Sequence, residues 1–174
     1  MRYFLDTEFY DDGKSLELIS IGIVNQFDDT YYAINSDFEE SHFDPWLAKN
    51  VKKYFPERSD PVWKPKSQIR DEIKSFITVP FPQFWCDFGS WDWVIFCHIF
   101  GKMLDVPEGY PNHCLDVQQW RIQSKLKHFP IVNTSKHHAL ADAKECKAKY
   151  DFLERLNSGK VKFGEVLDTI VVNL

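Results

Sequence analysis

The sequence lacks the features that would place it in several common protein classes. It has no glycine-rich phosphate-binding loop, no internal repeat and no low-complexity tract. Its four cysteines, Cys86, Cys97, Cys114 and Cys146, are irregularly spaced and form no C-x-x-C pair. We therefore expect reduced thiols rather than disulfides or a zinc site.

The chain also lacks a recognisable targeting or membrane segment at its start. One arginine precedes a short apolar run that charged residues interrupt, which is typical of neither a signal peptide nor a membrane helix. We expect a cytoplasmic protein with no membrane partner. At 174 residues, 44% of them hydrophobic, the chain is predicted to fold as a single domain over residues 1–174.

Positive charge is in deficit. The 21 lysines and arginines stand against 26 aspartates and glutamates, for a formal net charge of −5. This balance is unfavourable for a broad basic surface that binds a polyanion. Divalent cations held by acidic residues would offset the deficit locally, so the acidic composition does not exclude a nucleic-acid substrate.

The apolar pattern predicts strands followed by alternating helices and strands. Short turns join the first three strands into an antiparallel meander. The predicted strands are 3–9, 15–26, 31–34 and 84–88. The predicted helices are 44–55, capped by Asp44-Pro45, 67–77, capped by Ser67, and 91–100, 116–126 and 138–156. Residues 105–115 and 127–136 are predicted loops, and 160–174 form a C-terminal extension whose Ile170-Val171-Val172 suits a strand or a helix. Together these elements predict an α/β fold with a mixed sheet flanked by helices.

Two carboxylates end the first predicted strand. Asp6 and Glu8 are two residues apart, so their side chains point to the same face. Like charges held side by side are costly unless a cation lies between them, and a divalent metal ion is a common solution. A solvated strand edge is the simpler alternative.

Two further groups of polar residues follow later in the sequence. Asp92 opens a predicted helix, and His137 and Asp142 open the last long one. Taken singly, each has a simpler explanation. Asp92 would complement a helix dipole, Asp142 would be solvated, and His137 would be a polar loop residue.

Taken together, these groups of residues match the sequence motifs of a known protein family. The segments F-L-D-T-E-F, G-S-W-D-W-V-I-F and H-H-A-L-A-D-A resemble the three motifs of the DEDDh 3′–5′ exonuclease superfamily, which has the ribonuclease H-like fold. The similarity spans about residues 2–156. The opening R-Y-F-L-D-T-E-F and the following E-L-I-S-I-G look closest to the ribonuclease AS group. That resemblance implies a Mg²⁺-dependent, homodimeric 3′ exoribonuclease that prefers adenylate.

By position in these motifs, the resemblance implies five site residues. Asp6, Glu8, Asp92 and Asp142 would be the ligands of two Mg²⁺ ions, for which Mn²⁺ can substitute. His137 would be the general base, since an imidazole can take up a proton near neutral pH. Oxygen ligands of this kind suit Mg²⁺ and Mn²⁺.

Two neighbouring residues are alternatives to these assignments. Asp87 is close to the second motif but lies within a predicted strand, whereas Asp92 follows an aromatic residue as the motif requires. His138 adjoins His137, but His137 alone stands five positions before Asp142. Whether Asp87 or His138 assists the site stays open at this stage.

Candidate substrate contacts are less specific. Phe9, Trp91 and Trp93 flank the carboxylates and could stack on bases, although core packing explains them equally well. The hydroxyl of Ser20 could reach a 2′- or 3′-hydroxyl of RNA.

A basic patch precedes the third motif. Lys136 is its member nearest to His137 and suits a substrate phosphate. The other members are Arg121, Lys125, Lys127 and His128. A solvated helix face would explain the patch nearly as well.

Three functions are therefore in competition. The first is a metal-dependent 3′–5′ exoribonuclease that releases nucleoside 5′-monophosphates from single-stranded RNA, with a preference for adenylate. The second uses the same residues on single-stranded DNA. The third is a nucleic-acid-binding module that has the fold but no turnover.

Overall fold

The apolar runs of the N-terminal third form adjacent strands in the computed structural model, which describes residues 1–159 and 170–172. The strands are β1 (Arg2–Asp11), β2 (Leu16–Asn25), β3 (Thr30–Asn35), β4 (Trp63–Lys64), β5 (Gln83–Cys86), β6 (Leu115–Asp116), β7 (Ile131–Asn133) and β8 (Ile170–Val172). The α-helices are α1 (Pro45–Asn50), α2 (Lys66–Phe76), α3 (Ser90–Phe100), α4 (Val117–Gln123) and α5 (Ala139–Asn157). Short 3₁₀ turns occur at Glu40–His42, Lys52–Tyr54 and Met103–Asp105.

Among the described residues, the main sheet has six strands in the order β4-β3-β2-β1-β5-β6. β1, β2 and β3 form the predicted antiparallel meander, whereas β4, β5 and β6 pair with their neighbours in parallel. β7 and β8 form a separate parallel pair. The predicted α/β fold with a mixed sheet flanked by helices is confirmed.

Helices cover both faces of the sheet. One core cluster joins residues of β1 and β2 to α2 and α3, and includes Ile73, Phe84 and Phe96. A second cluster, around Phe4 and Tyr150, joins the sheet to α4 and α5. Coverage on both faces explains why the sequence of β2 is apolar almost without alternation.

Several predicted boundaries were wrong. No strand was predicted at the positions of β4, β6 and β7, because two or three residues are too few to show a strand period. α1 ends at Asn50 and continues as a 3₁₀ turn instead of running to residue 55. α4 ends at Gln123, and α2 begins at Lys66, so Ser67 lies in the first turn rather than at the cap.

The C-terminal extension is described in part. Ile170–Val172 is a strand, which decides between the two predicted alternatives. The remainder of the predicted extension lies outside the described residues. Within the described part of the chain, no helix is long and apolar enough to cross a membrane. The four cysteines are free, as expected.

The long helix α5 lies directly against β2 at Gly22. A Cβ atom at this position would lie 2.3 Å from the backbone nitrogen of Leu140 and 2.4 Å from the carbonyl carbon of Ala139. Backbone atoms cannot yield as a flexible side chain does. Glycine at position 22 therefore sets how closely the start of α5, and with it Asp142, approaches the sheet.

Substitution of Gly22 by alanine is expected to destabilise the protein. Because the added methyl group must push α5 away from β2, the free energy of unfolding should fall by about 1–3 kcal/mol. Urea unfolding followed by circular dichroism measures the change. An unchanged midpoint would show that α5 can move without cost, contrary to this account.

Candidate active site

The two carboxylates of the first motif lie where β1 runs past its parallel neighbour. β1 pairs with β5 from Arg2 to Phe4, and the pairing ends before Asp6. Asp6 and Glu8 still pair with Gly22 and Ser20 of β2, but beyond the end of β5 they line a cleft. The volume of this cleft is about 670 Å³.

Asp92 enters the cleft from the first turn of α3. The backbone nitrogen and the hydroxyl of Thr7 both donate to Oδ1 of Asp92, at 2.9 and 2.6 Å. Thr7 lies between Asp6 and Glu8 on β1, so these bonds connect the first motif to the second. The side chain of Asp92 is buried, and its position relative to β1 is held by two hydrogen bonds.

Asp142 lies in the first turn of α5. Its Oδ2 accepts a hydrogen bond from the backbone nitrogen of His137 at 2.8 Å, and its Oδ1 accepts one from Nδ2 of Asn133 at 2.5 Å. The backbone of His137 adopts the left-handed conformation, with φ at +66°. This conformation is uncommon for a residue with a side chain, and the bond to Asp142 helps to hold it.

The five predicted site residues come together in the structure. Ligand atoms of Glu8, His137 and Asp142 lie within 4.8 Å of one another. Asp6 and Asp92 line the same cleft. Three motifs that lie far apart in the sequence therefore meet at one cleft.

Burial and mutual repulsion change the acidity of these groups. Desolvation, followed by the nearby carboxylates, raises the pKa of Asp6 well above its ordinary value and that of Glu8 to about 8. Desolvation is also the main reason why the pKa values of Asp92 and Asp142 rise to about 6. Four carboxylates that resist ionisation in the absence of a cation constitute a site that a cation would stabilise.

The two adjacent histidines have different surroundings. His137 lines the cleft, and its ring contacts the edge of Trp46 at 4.8 Å. His138 is buried, with its ring stacked on Tyr32 at 4.5 Å. Burial lowers the pKa of His138 to about 4. His138 therefore packs against the sheet, and the histidine that faces the cleft is His137.

Asp87 also lines the cleft, but its carboxylate is already paired. Its Oδ2 accepts a hydrogen bond from Nζ of Lys149, and its Oδ1 accepts one from Nε2 of Gln118 at 2.8 Å. Lys149 also pairs with Glu145 at 2.7 Å. The ammonium group thus compensates two carboxylates beside the site, and Asp87 is not a free ligand in this arrangement.

The cleft is strongly acidic. Four carboxylates line it in addition to the four predicted ligands: Asp11, Asp44, Asp87 and Glu145. Its lysines, within the described part of the chain, are Lys136 and Lys149. Oxygen donors in excess over cationic side chains fit a hard divalent ion such as Mg²⁺ or Mn²⁺. The residues present therefore suit the implied metal.

The predicted substrate contacts divide into two groups. Phe9 and Trp91 line the cleft, and Trp91 is 54% exposed. Trp93 packs in the core against Phe84 and Phe96, and Ser20 is 1% exposed. Neither Trp93 nor Ser20 belongs to the cleft lining that the described residues form. The predictions for these two residues are not supported, because the helix and strand turn their side chains inward.

The basic patch divides in the same way. Lys136 is exposed and lines the cleft. Arg121 instead donates to the carbonyl oxygens of Leu126 and Lys127, both at 2.8 Å, and so supports the loop after α4. As far as the structure describes the chain, Lys136 is the patch residue in the cleft lining.

Sequence reasoning missed two aromatic residues of the cleft. Trp46 is 51% exposed and lines the cleft. Phe88 is 71% exposed and has a left-handed φ of +59°. We call Phe9, Trp46, Phe88 and Trp91 the aromatic rim. The Asp44-Pro45 cap placed Trp46 at the helix start, but the helix phase alone did not show that this turn borders a cleft.

Comparison with known sequences agrees with the motif pattern. Residues 1–153 match the family described as the 3′-5′ exoribonuclease Rv2179c-like domain. The 3′-5′ exoribonucleases Rv2179c and MT2234.1, from two strains of Mycobacterium tuberculosis, are each 30% identical to this chain over 148 residues. The alignment covers 83% of this chain and 88% of each relative.

Comparison with solved structures supports the fold. An exonuclease I structure superimposes on 88% of this chain with a TM-score of 0.60 and 12% identity. E. coli exonuclease I in complex with a dT13 oligonucleotide covers 91% of the chain with a TM-score of 0.59 and 11% identity. This chain spans about 40% of the length of those proteins. At such identities the likeness concerns the fold alone.

The stability of the metal-free protein is expected to fall as the pH rises. A carboxyl group whose pKa is higher in the folded than in the unfolded state binds its proton more tightly when folded. The free energy of unfolding therefore decreases as the pH rises through the interval between the two pKa values. For Glu8, Asp92 and Asp142 the interval runs from their ordinary values to about 8, 6 and 6. With a chelator present, the unfolding temperature should fall by about 10 °C between pH 5 and 8.

Calorimetry across this pH range, with Glu8→Gln as the comparison, provides the measurement. The variant should show a weaker pH dependence, and added Mn²⁺ should raise the unfolding temperature of the wild type at pH 8. A wild-type unfolding temperature that is constant or rises with pH would contradict the account of the site.

Proposed function

Because this chain belongs to the family of the 3′-5′ exoribonuclease Rv2179c-like domain, we propose that it removes nucleotides from the 3′ end of single-stranded RNA with the help of divalent cations. The observation that carries the proposal is the convergence of four carboxylates and His137 at one cleft. The enzyme class, a 3′–5′ exonuclease, follows from the family. The RNA substrate is supported by the names of the relatives.

Asp6, Glu8, Asp92 and Asp142 would hold two Mg²⁺ or Mn²⁺ ions. When bound, such ions stabilise negative charge on the attacking and leaving oxygens of a phosphodiester. The protein contributes carboxylates from three separate elements, so their spacing depends on the packing of β1, α3 and α5. The bonds from Thr7 and Asn133 reduce the freedom of two of these side chains.

His137 is proposed as the group that accepts a proton from the attacking water. Desolvation, followed by Lys53 and Lys136, lowers its pKa from the ordinary value, so the imidazole is neutral at pH 7 and can accept a proton. Its ring contacts Trp46, and its backbone is bonded to Asp142. These contacts support the proposal, because they hold the imidazole of His137 near Glu8 and Asp142 but outside the helix.

The aromatic rim is proposed to bind the bases of the substrate. An exposed phenylalanine in a left-handed conformation, as at Phe88, costs the fold both strain and exposed apolar surface. A stacked base would compensate by covering the ring. The carboxylates of this acidic cleft would repel the phosphates of a nucleic acid. Stacking on the aromatic rim would attract its bases instead.

Finer features of the function stay predictions from the resemblance. They are the preference for adenylate, the release of nucleoside 5′-monophosphates, a homodimeric state and a cytoplasmic location. The division into one exonuclease domain with a core at 2–156 is likewise proposed. No described residue of the cleft is connected with any of these features.

Stepwise shortening of 5′-labelled RNA in the presence of Mg²⁺ is the expected activity. Single-stranded RNA and DNA of equal sequence, with the label at the 5′ end, should give a ladder for RNA and little product for DNA. A panel of homopolymer RNAs then reports the base preference. Loss of DNA but not RNA would replace the proposed substrate with the DNA alternative.

Substitution of Asp6 by asparagine is the catalytic control in this assay. The amide keeps the size of the side chain but cannot hold a cation as a carboxylate does, so the rate should fall by roughly a thousandfold or more. The variant should remain folded, and its stability in chelator should not decrease, because one repelling charge is gone. Activity in Asp6→Asn equal to that of the wild type would refute the catalytic assignment of this site. A wild type that shortens neither RNA nor DNA would support the non-catalytic binding module.

Substitution of Phe88 by alanine tests the aromatic rim. Loss of one stacked base should raise KM for a short RNA about tenfold, with kcat within a few-fold of wild type. Phe81→Ala is a matched control, because Phe81 is 76% exposed and also has a left-handed φ, of +56°. Equal effects of the two substitutions would show that the rim does not bind substrate.

A further inference from the structure

Asn133 is a buried amide at the end of β7 whose hydrogen bonds reach the candidate metal site. Its Nδ2 donates to Oδ1 of Asp142 at 2.5 Å, and its Oδ1 accepts from the backbone nitrogen of Ser135 at 2.8 Å. The residue is 6% exposed. Because both ends of the amide are engaged, its donor is directed at the carboxylate.

This contact holds Asp142 from outside its own helix. The other carboxylate oxygen, Oδ2, accepts from the backbone nitrogen of His137 at 2.8 Å. Each carboxylate oxygen can accept two hydrogen bonds or ligand contacts, so both oxygens keep a free position for a cation. Asn133 and His137 thus fix the orientation of Asp142 without occupying its capacity to bind metal.

β7 in turn depends on the C-terminal strand. β8 pairs with β7 in parallel, with Asn133 opposite Val172. The backbone nitrogen of Thr134 donates to the carbonyl oxygen of Val172 at 3.2 Å. Val172 is 8% exposed, whereas its neighbour Val171 is 56% exposed. β8 is therefore attached through its backbone and through the buried side chain of Val172, next to Asn133.

β8 also lies beyond the part of the chain that the family match covers. The match ends at residue 153, within α5, and β8 begins at Ile170. The catalytic motifs lie before that limit. The support of Asn133 by β8 consequently comes from a segment outside the matched domain.

We propose that Asn133 is a positioning residue for Asp142, and that β8 holds Asn133 in place. The C-terminal strand would then contribute to the affinity of the site for divalent cations. This inference rests on the proposed function, because it takes Asp142 as a cation ligand. Partners that orient a metal ligand typically change metal affinity by about 10- to 100-fold.

The first comparison uses Asn133→Leu, which keeps a similar volume but removes the donor. Binding of Mn²⁺ to the RNA-free protein, followed by electron paramagnetic resonance, should weaken by about tenfold or more. The Mn²⁺ concentration for half-maximal RNA cleavage should shift in parallel, and KM for RNA at saturating Mn²⁺ should stay within about twofold. Val132→Ala, at the exposed preceding position of β7, should bind Mn²⁺ as the wild type does.

The second comparison tests β8 with one substitution at two adjacent positions. Val172→Asp introduces a charge on the buried side of the strand and should weaken Mn²⁺ binding as Asn133→Leu does. Val171→Asp introduces the same charge on the exposed side and should leave Mn²⁺ binding within about twofold of wild type. Equal Mn²⁺ affinities for the two variants would overturn the role of β8.

Folded Asn133→Leu protein with wild-type Mn²⁺ affinity would overturn the role of Asn133, even if its unfolding temperature were lower. If this variant does not fold, Asn133→Ala, which also removes the donor, decides the same question by the same Mn²⁺ titration. Failure of the proposed function is separately visible. In that case the wild type would bind Mn²⁺ without shortening RNA, and the affinities of the variants would still be compared.

Discussion

Repulsion among four partly buried carboxylates is the constraint on which the structure of this site depends. Asp6, Glu8, Asp92 and Asp142 come from three elements, and their raised pKa values show that the fold holds them together against desolvation and like charge. Burial of apolar side chains on both faces of the sheet offsets the free-energy cost of holding these carboxylates together. Such a site is preorganised for a cation that stabilises the same charges when it binds.

A few specific contacts hold the site residues in position relative to the core. The double hydrogen bond from Thr7 holds Asp92 against β1, and the close approach of β2 to α5 at Gly22 sets the depth of Asp142. Lys149 pairs with Asp87 and so neutralises one carboxylate beside the four proposed metal ligands. Each contact joins two elements distant in sequence, which makes the site a product of tertiary packing.

The surroundings of the site favour bases over a long phosphate backbone. The cleft is acidic and Lys136 is its exposed lysine within the described residues, whereas its rim carries Trp46, Phe88 and Trp91 in exposed positions. Stacking is tolerant of sequence and acts over one base at a time. This combination agrees with an enzyme that engages the end of a strand through a few nucleotides rather than a long tract.

The sequence by itself determined the α/β class and the N-terminal meander, and it named five candidate site residues that line one cleft, because strand period and short motifs are local patterns. It could not show β4, β6 or β7, whose two or three residues become strands by pairing with distant partners. It named Trp93 as a candidate substrate contact beside the alternative of core packing, and it did not name Trp46, since a helical motif does not show which face meets a cleft. Only the tertiary structure decided those orientations, and only it brought Asn133 and Lys149 to the site, because their partners are brought close by packing and not by sequence spacing.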